Sequence, residues 1–183
     1  MKKVTVLLVF ALLLVVSFGV SAQDYSAENM KFVGGMTYNT YDGSFDNSWN
    51  YDVSDNGLGF YLGGQYWFDS ERAVEIGYDR AMNEVASEDS SFSGLYGKFV
   101  YSLNPMMNLK GGLAYYGFEA DSAMVDDGSG MGILLGGEYE YPMDDGMSLV
   151  GSVNYRNAKM DLDNNVELDM SGFSISGGVS IQY

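Results

Sequence analysis

Seven charged side chains fall on the polar parity of runs in which every second residue is apolar: Glu75, Asp79, Lys98, Lys110, Glu138, Glu140 and Arg156. Carboxylates and cations withdrawn from water must neutralise one another, so this set predicts ion pairs across an enclosed space. Two roles suit such pairs. Either they form a gate that opens a narrow path when partners exchange, or they form a plug that holds the space shut. The plug is the favoured reading.

A second group of acids lies between the alternating runs. It comprises Asp42, Asp46, Asp52 and Asp55, then Glu84, Glu88 and Asp89, then Glu119, Asp121, Asp126 and Asp127, and finally Asp161, Asp163, Glu167 and Asp169. Clustered carboxylates are oxygen ligands for Ca²⁺ or Mg²⁺. None of these stretches has the spaced calcium-loop pattern with its fixed glycine and closing glutamate. Solvated loops are therefore the favoured reading, and no metal site or cofactor is assigned. Phe45, Trp49 and Tyr51 form an aromatic group in the first of these segments, suited to anchoring a partner or to capping their own loop.

Catalysis has little to draw on. The chain contains no histidine, which removes the usual general base near neutral pH, and no cysteine for a thiolate site. The sequence reads as a non-enzyme.

The elements that must position these charges follow from period two. From Lys31 onward eight runs alternate apolar and polar or small residues, the mark of strands with two unlike faces. In the last run Phe173, Ile175, Gly177, Val179, Ile181 and Tyr183 alternate with Gly172, Ser174, Ser176, Gly178, Ser180 and Gln182. Between runs the connections alternate in length. Asp69 to Arg72, Asn104 to Met107 and Pro142 to Gly146 are tight, whereas Asp42 to Asn56, Glu84 to Ser91, Glu119 to Ser129 and Asn157 to Glu167 are long. In an up-and-down sheet, short turns then share one end and long loops the other.

Three features turn the apolar face toward lipid. Tyrosines on that face sort by height: Tyr38, Tyr78, Tyr115 and Tyr155 at the loop ends, and Tyr66, Tyr101, Tyr139, Tyr141 and Tyr183 at the turn ends. The opposite face is rich in Gly, Ser and Ala, which suits the narrow interior of an eight-stranded barrel. No charge interrupts the middle of the apolar face, where a cation costs about 2 to 4 kcal/mol in lipid. The competing fold is a secreted barrel with its apolar face inside.

The N-terminus supports export. Lys2-Lys3, an apolar run from Val4 to Val16 and the small-residue ending Val20-Ser21-Ala22 read as a signal peptide over 1–22, leaving a domain over 23–183. A retained membrane helix is the competing reading of the same stretch. Cleavage removes Lys2 and Lys3 and moves the formal charge from -16 to -18, which disfavours nucleic acid as a partner.

The Gly-rich strand Leu58-Gly59-Phe60-Tyr61-Leu62-Gly63-Gly64-Gln65-Tyr66-Trp67-Phe68, the leader and the terminal Tyr183 resemble the small outer-membrane β-barrel superfamily of OmpA/OmpX type. The expected fold is all-β: an eight-stranded antiparallel up-and-down transmembrane β-barrel. The resemblance implies that Tyr183 serves as an assembly signal for the barrel-assembly machinery, with outer-membrane lipids and lipopolysaccharide as surroundings. Loop-bound cations bridging lipopolysaccharide phosphates belong to the metal reading above. The chain stops at Tyr183 without the peptidoglycan-binding domain of OmpA, so cell-wall tethering is not expected. A structural, surface-interaction barrel is the first functional expectation, and a narrow porin-like channel for water and small ions is the second.

Overall fold

In the computed structural model the described residues are 29–45, 56–85, 88–120, 127–143, 146–162 and 167–182. They form eight strands: β1 (Met30–Phe45), β2 (Asn56–Trp67), β3 (Arg72–Val85), β4 (Glu88–Asn104), β5 (Met107–Ala120), β6 (Gly128–Pro142), β7 (Met147–Leu162) and β8 (Glu167–Gln182). Each strand pairs antiparallel with the next, and β8 returns to β1, so the sheet closes on itself. Closure satisfies every ladder and leaves no edge. The leader reading over 1–22 and the terminal Tyr183 lie outside the described residues.

The tight turns stand where the sequence places them. In the first, Asp69 Oδ1 accepts hydrogen bonds from the backbone N–H groups of Glu71 and Arg72 at 2.9 and 2.8 Å, while Oδ2 accepts the Arg72 guanidinium. These bonds favour the ionised form and hold the Asp69 carboxyl below its ordinary range. The last turn ends on Gly146, whose φ of +73° lies in the left-handed region that glycine adopts without steric cost.

The outward face is an apolar belt. Met36 is 66%, Leu62 61% and Ile175 62% exposed, and apolar side chains continue around all eight strands. Such a surface is intolerable in water over this extent. Aromatic rings border it at both ends: Tyr155 meets Phe173 at 5.1 Å and Phe60 meets Tyr78 at 6.2 Å on the loop side, with Tyr66 meeting Phe68 at 5.5 Å on the turn side.

At the loop end the strands run farther than the alternation predicts. β7 and β8 extend through Leu162 and from Glu167, and β3 and β4 leave only residues 86 and 87 between them, where the sequence predicts a long loop from Glu84 to Ser91. On β7 and β8 the reason is an inversion of polarity. Beyond the tyrosines the outward positions become Asn157, Lys159 and Asp161, while the inward ones become Ala158, Met160 and Leu162, all buried. On β8, Leu168 and Met170 are fully buried and their neighbours Glu167 and Asp169 are not. The interior stays covered while the exterior passes from hydrocarbon to water, so one continuous strand reads as the end of a lipid-facing pattern.

Candidate functional site: the lumen

Period two carries the seven charges inward, and register brings several of them together. Glu75 on β3 lies opposite Gln65 on β2 and Lys98 on β4, and Asn108 on β5 lies opposite Glu138 on β6. Lys110 on β5 is the hub. Its Nζ donates to Glu75 Oε2 at 2.6 Å and to Glu138 Oε2 at 2.5 Å. Gln65 Nε2 donates to the same Glu75 oxygen at 2.8 Å, and Lys98 Nζ stands 3.5 Å from the other. Asn108 Nδ2 donates to Glu138 Oε1 at 3.3 Å. Glu75 is 1% exposed, so its charge depends on these partners for what water would otherwise provide.

Asp79 and Arg156 form a second pair, from β3 to β7, with Nη2 and Oδ2 at 2.5 Å. The guanidinium also lies over two rings, at 4.8 Å from the centroid of Phe92 and 4.6 Å from that of Tyr116. Those rings stack on each other at 4.3 Å, and Tyr41 meets Phe92 edge-on at 6.1 Å. This aromatic layer continues into buried Phe118, Met160, Leu168 and Met170 toward the loops.

Glu140 stands apart from the other six charges. Its carboxylate accepts Lys31 Nζ at 2.9 and 2.8 Å and the Ser180 hydroxyl at 2.7 Å, and Lys31 lies 5.3 Å from the Trp67 ring. Lys31, Gln65 and Asn108 are partners that charge-centred reading of the sequence passed over, although Lys31 and Gln65 sit on the inward parity of their runs. The large aromatic interior is a correction. The sequence predicts a lumen of small residues, whereas Tyr96, Tyr116, Phe92 and Phe118 fill it. Glycines make room for them: a Cβ at Gly94 would strike the Tyr116 ring, and one at Gly77 the Tyr96 ring.

Of the loop acids, Asp46, Asp52, Asp55, Asp121, Asp126 and Asp163 fall outside the described residues, as do Trp49 and Tyr51, and nothing is shown of the Phe45 side chain. Among the described residues no three acidic side chains converge on a common point.

A closed sheet with an apolar belt, aromatic borders and a polar, ion-paired interior defines a transmembrane β-barrel, because only helices and closed barrels satisfy their backbone in lipid. The sequence model of the outer membrane protein beta-barrel domain matches residues 10–180, and the chain belongs to that family, whose place is the bacterial outer membrane.

Solved structures show the same fold. OprG from Pseudomonas aeruginosa is similar at a TM-score of 0.59 and 16% identity, over 84% of this chain and 95% of that one. Ail, the attachment invasion locus protein of Yersinia pestis, is similar at 0.57 and 15%, over 84% and 99%. Neisserial surface protein A is similar at 0.57 and 16%, over 86% and 98%. No curated protein sequence matches the chain at a significant level.

Proposed function

We propose that this protein is a structural barrel of the outer membrane that displays acidic loops for surface contacts and keeps its lumen closed. The observation that carries this reading is the tie between opposing walls. Arg156 binds Asp79 across the barrel and is held beneath stacked Phe92 and Tyr116, while Lys110 binds Glu75 and Glu138 below. An ion entering this space would have to displace paired charges and then cross an apolar layer.

Export through the leader over 1–22 and insertion by the barrel-assembly machinery reading Tyr183 belong to the same proposal, as do contacts of the belt with lipid and lipopolysaccharide. No catalytic role is proposed. Overproduction would leave the lipid A mass spectrum unchanged, and a new lipid A species would overturn this.

A narrow channel for water or small ions is the second reading, favoured by a polar cavity beside the ion pairs. Single-channel recording in planar bilayers separates the two. The closed reading expects silence from the wild type. Reproducible openings whose ion preference changes in Glu138→Lys would establish the channel instead.

A further inference from the structure

A cavity of about 40 Å³ lies against the ion pairs, with Thr37, Tyr61, Asp79, Tyr96, Asn154 and Arg156 in its wall. That exceeds the roughly 10 to 15 Å³ needed to hold one water, so the space admits a small number of molecules. It is too little for a sugar or an amino acid.

The wall carries polar atoms with nothing to bind. The Tyr61 hydroxyl, Asp79 Oδ1 and Arg156 Nε are all buried without a hydrogen-bond partner. A buried polar atom left in this state costs the full desolvation of the group, and native interiors rarely hold several together. Two are donors and one is an acceptor with lone pairs to spare, which is the mixture a water cluster satisfies and a single ion does not. The charge balance agrees. Glu75, Asp79 and Glu138 face Lys98, Lys110 and Arg156 around the same cavity, so the formal charges cancel and no net charge favours an ion of either sign.

We infer that the cavity is a hydration site of ordered waters that accept from Tyr61 and Arg156 Nε and donate to Asp79 Oδ1. The waters join the Asp79–Arg156 pair to Tyr61 of β2, completing the polar network that protein atoms alone leave open. This holds whether or not the lumen conducts, so silence or openings in a bilayer recording leave it untouched.

A high-resolution crystal structure of the wild-type barrel tests it directly. Ordered water peaks within hydrogen-bond distance of Asp79 Oδ1, Arg156 Nε and the Tyr61 hydroxyl are expected. An empty cavity, or density for a different solute, overturns the proposal. Tyr61→Phe provides an energetic test of the same bond, read from urea unfolding of the refolded protein in lipid vesicles. Loss of one net hydrogen bond raises the unfolded-to-folded ratio about fivefold. A variant as stable as the wild type, or more stable, shows that the hydroxyl had no water to lose and overturns the assignment.

Discussion

Asp79 and Arg156 meet at 2.5 Å although β3 and β7 stand on opposite sides of the closed sheet, so one ion pair spans the lumen. Both side chains are largely withdrawn from solvent, at 14% and 10% exposed. Removing one partner strands the other. Arg156→Met is expected to destabilise the barrel by about 3 to 5 kcal/mol, and the double variant Asp79→Leu/Arg156→Met to recover much of that loss. Urea unfolding in lipid vesicles checks it, and equal losses in single and double variants would show that the pair carries no coupling.

The two carboxylates around Lys110 are unequal. Glu75 holds Lys110, Lys98 and Gln65, whereas Glu138 holds Lys110 and Asn108. Glu75→Gln therefore costs more than Glu138→Gln, the latter falling near 1 to 3 kcal/mol, or about one charged hydrogen bond. The ranking of unfolding midpoints decides the matter, and a reversed order would contradict the geometry.

Glycine is needed where rings lie against the wall. Gly94→Ala drives a methyl into Tyr116 and is expected to cost about 1 to 3 kcal/mol by overpacking. Gly97→Ala on the lipid face meets nothing within 4 Å and serves as the control. Comparable midpoints for the two variants would remove the packing argument.

The inversion of polarity along β7 is a statement about where lipid ends. Cysteines introduced by Lys159→Cys and Asp161→Cys are expected to react with a membrane-impermeant maleimide on intact cells, and one introduced by Val153→Cys to resist it. Labelling at Val153 equal to that at Asp161 would move the boundary. Ile175→Arg, within the belt, is expected to cost about 2 to 4 kcal/mol.

Asp69 sets the sign of one pH effect. Its folded carboxyl titrates below its unfolded value because Arg72 and the turn backbone bind the ionised form. That contribution is present above the unfolded pKa and fades as pH falls through the folded one. The site is fully exposed, so the effect is small. Carboxyl chemical shifts across acidic pH should show Asp69 titrating low, and Arg72→Ala should return it toward the ordinary range.

Much of this was legible in the alternation. A run such as Phe173 to Ile181 states its strand and its two faces at once, since a period of two allows no other element. Glu75, Lys98 and Lys110 were legible as interior for the same reason. The assignment failed at Asn157 to Leu162, where alternation persists with its polarity reversed, and at Glu84 to Ser91, where no alternation marks the strands that run on to Val85 and from Glu88. A reader following the lipid face sees it stop, although the inward face at Ala158, Met160 and Leu162 never does.

The sequence by itself determined the strands, their inward and outward parity, and the kind of solvent each face meets, because those are properties of neighbours two residues apart. Tertiary structure alone decided who pairs with whom. Glu140 joins Lys31 and not the central cluster, and Asp79 reaches Arg156 across the barrel, because sheet closure and strand register set distances between residues far apart in the chain. It also decided that stacked Phe92 and Tyr116 cover Arg156. The physical reason is range: local pattern encodes the face on which a side chain stands, and only the closed sheet brings opposite walls near enough for charges and rings to meet.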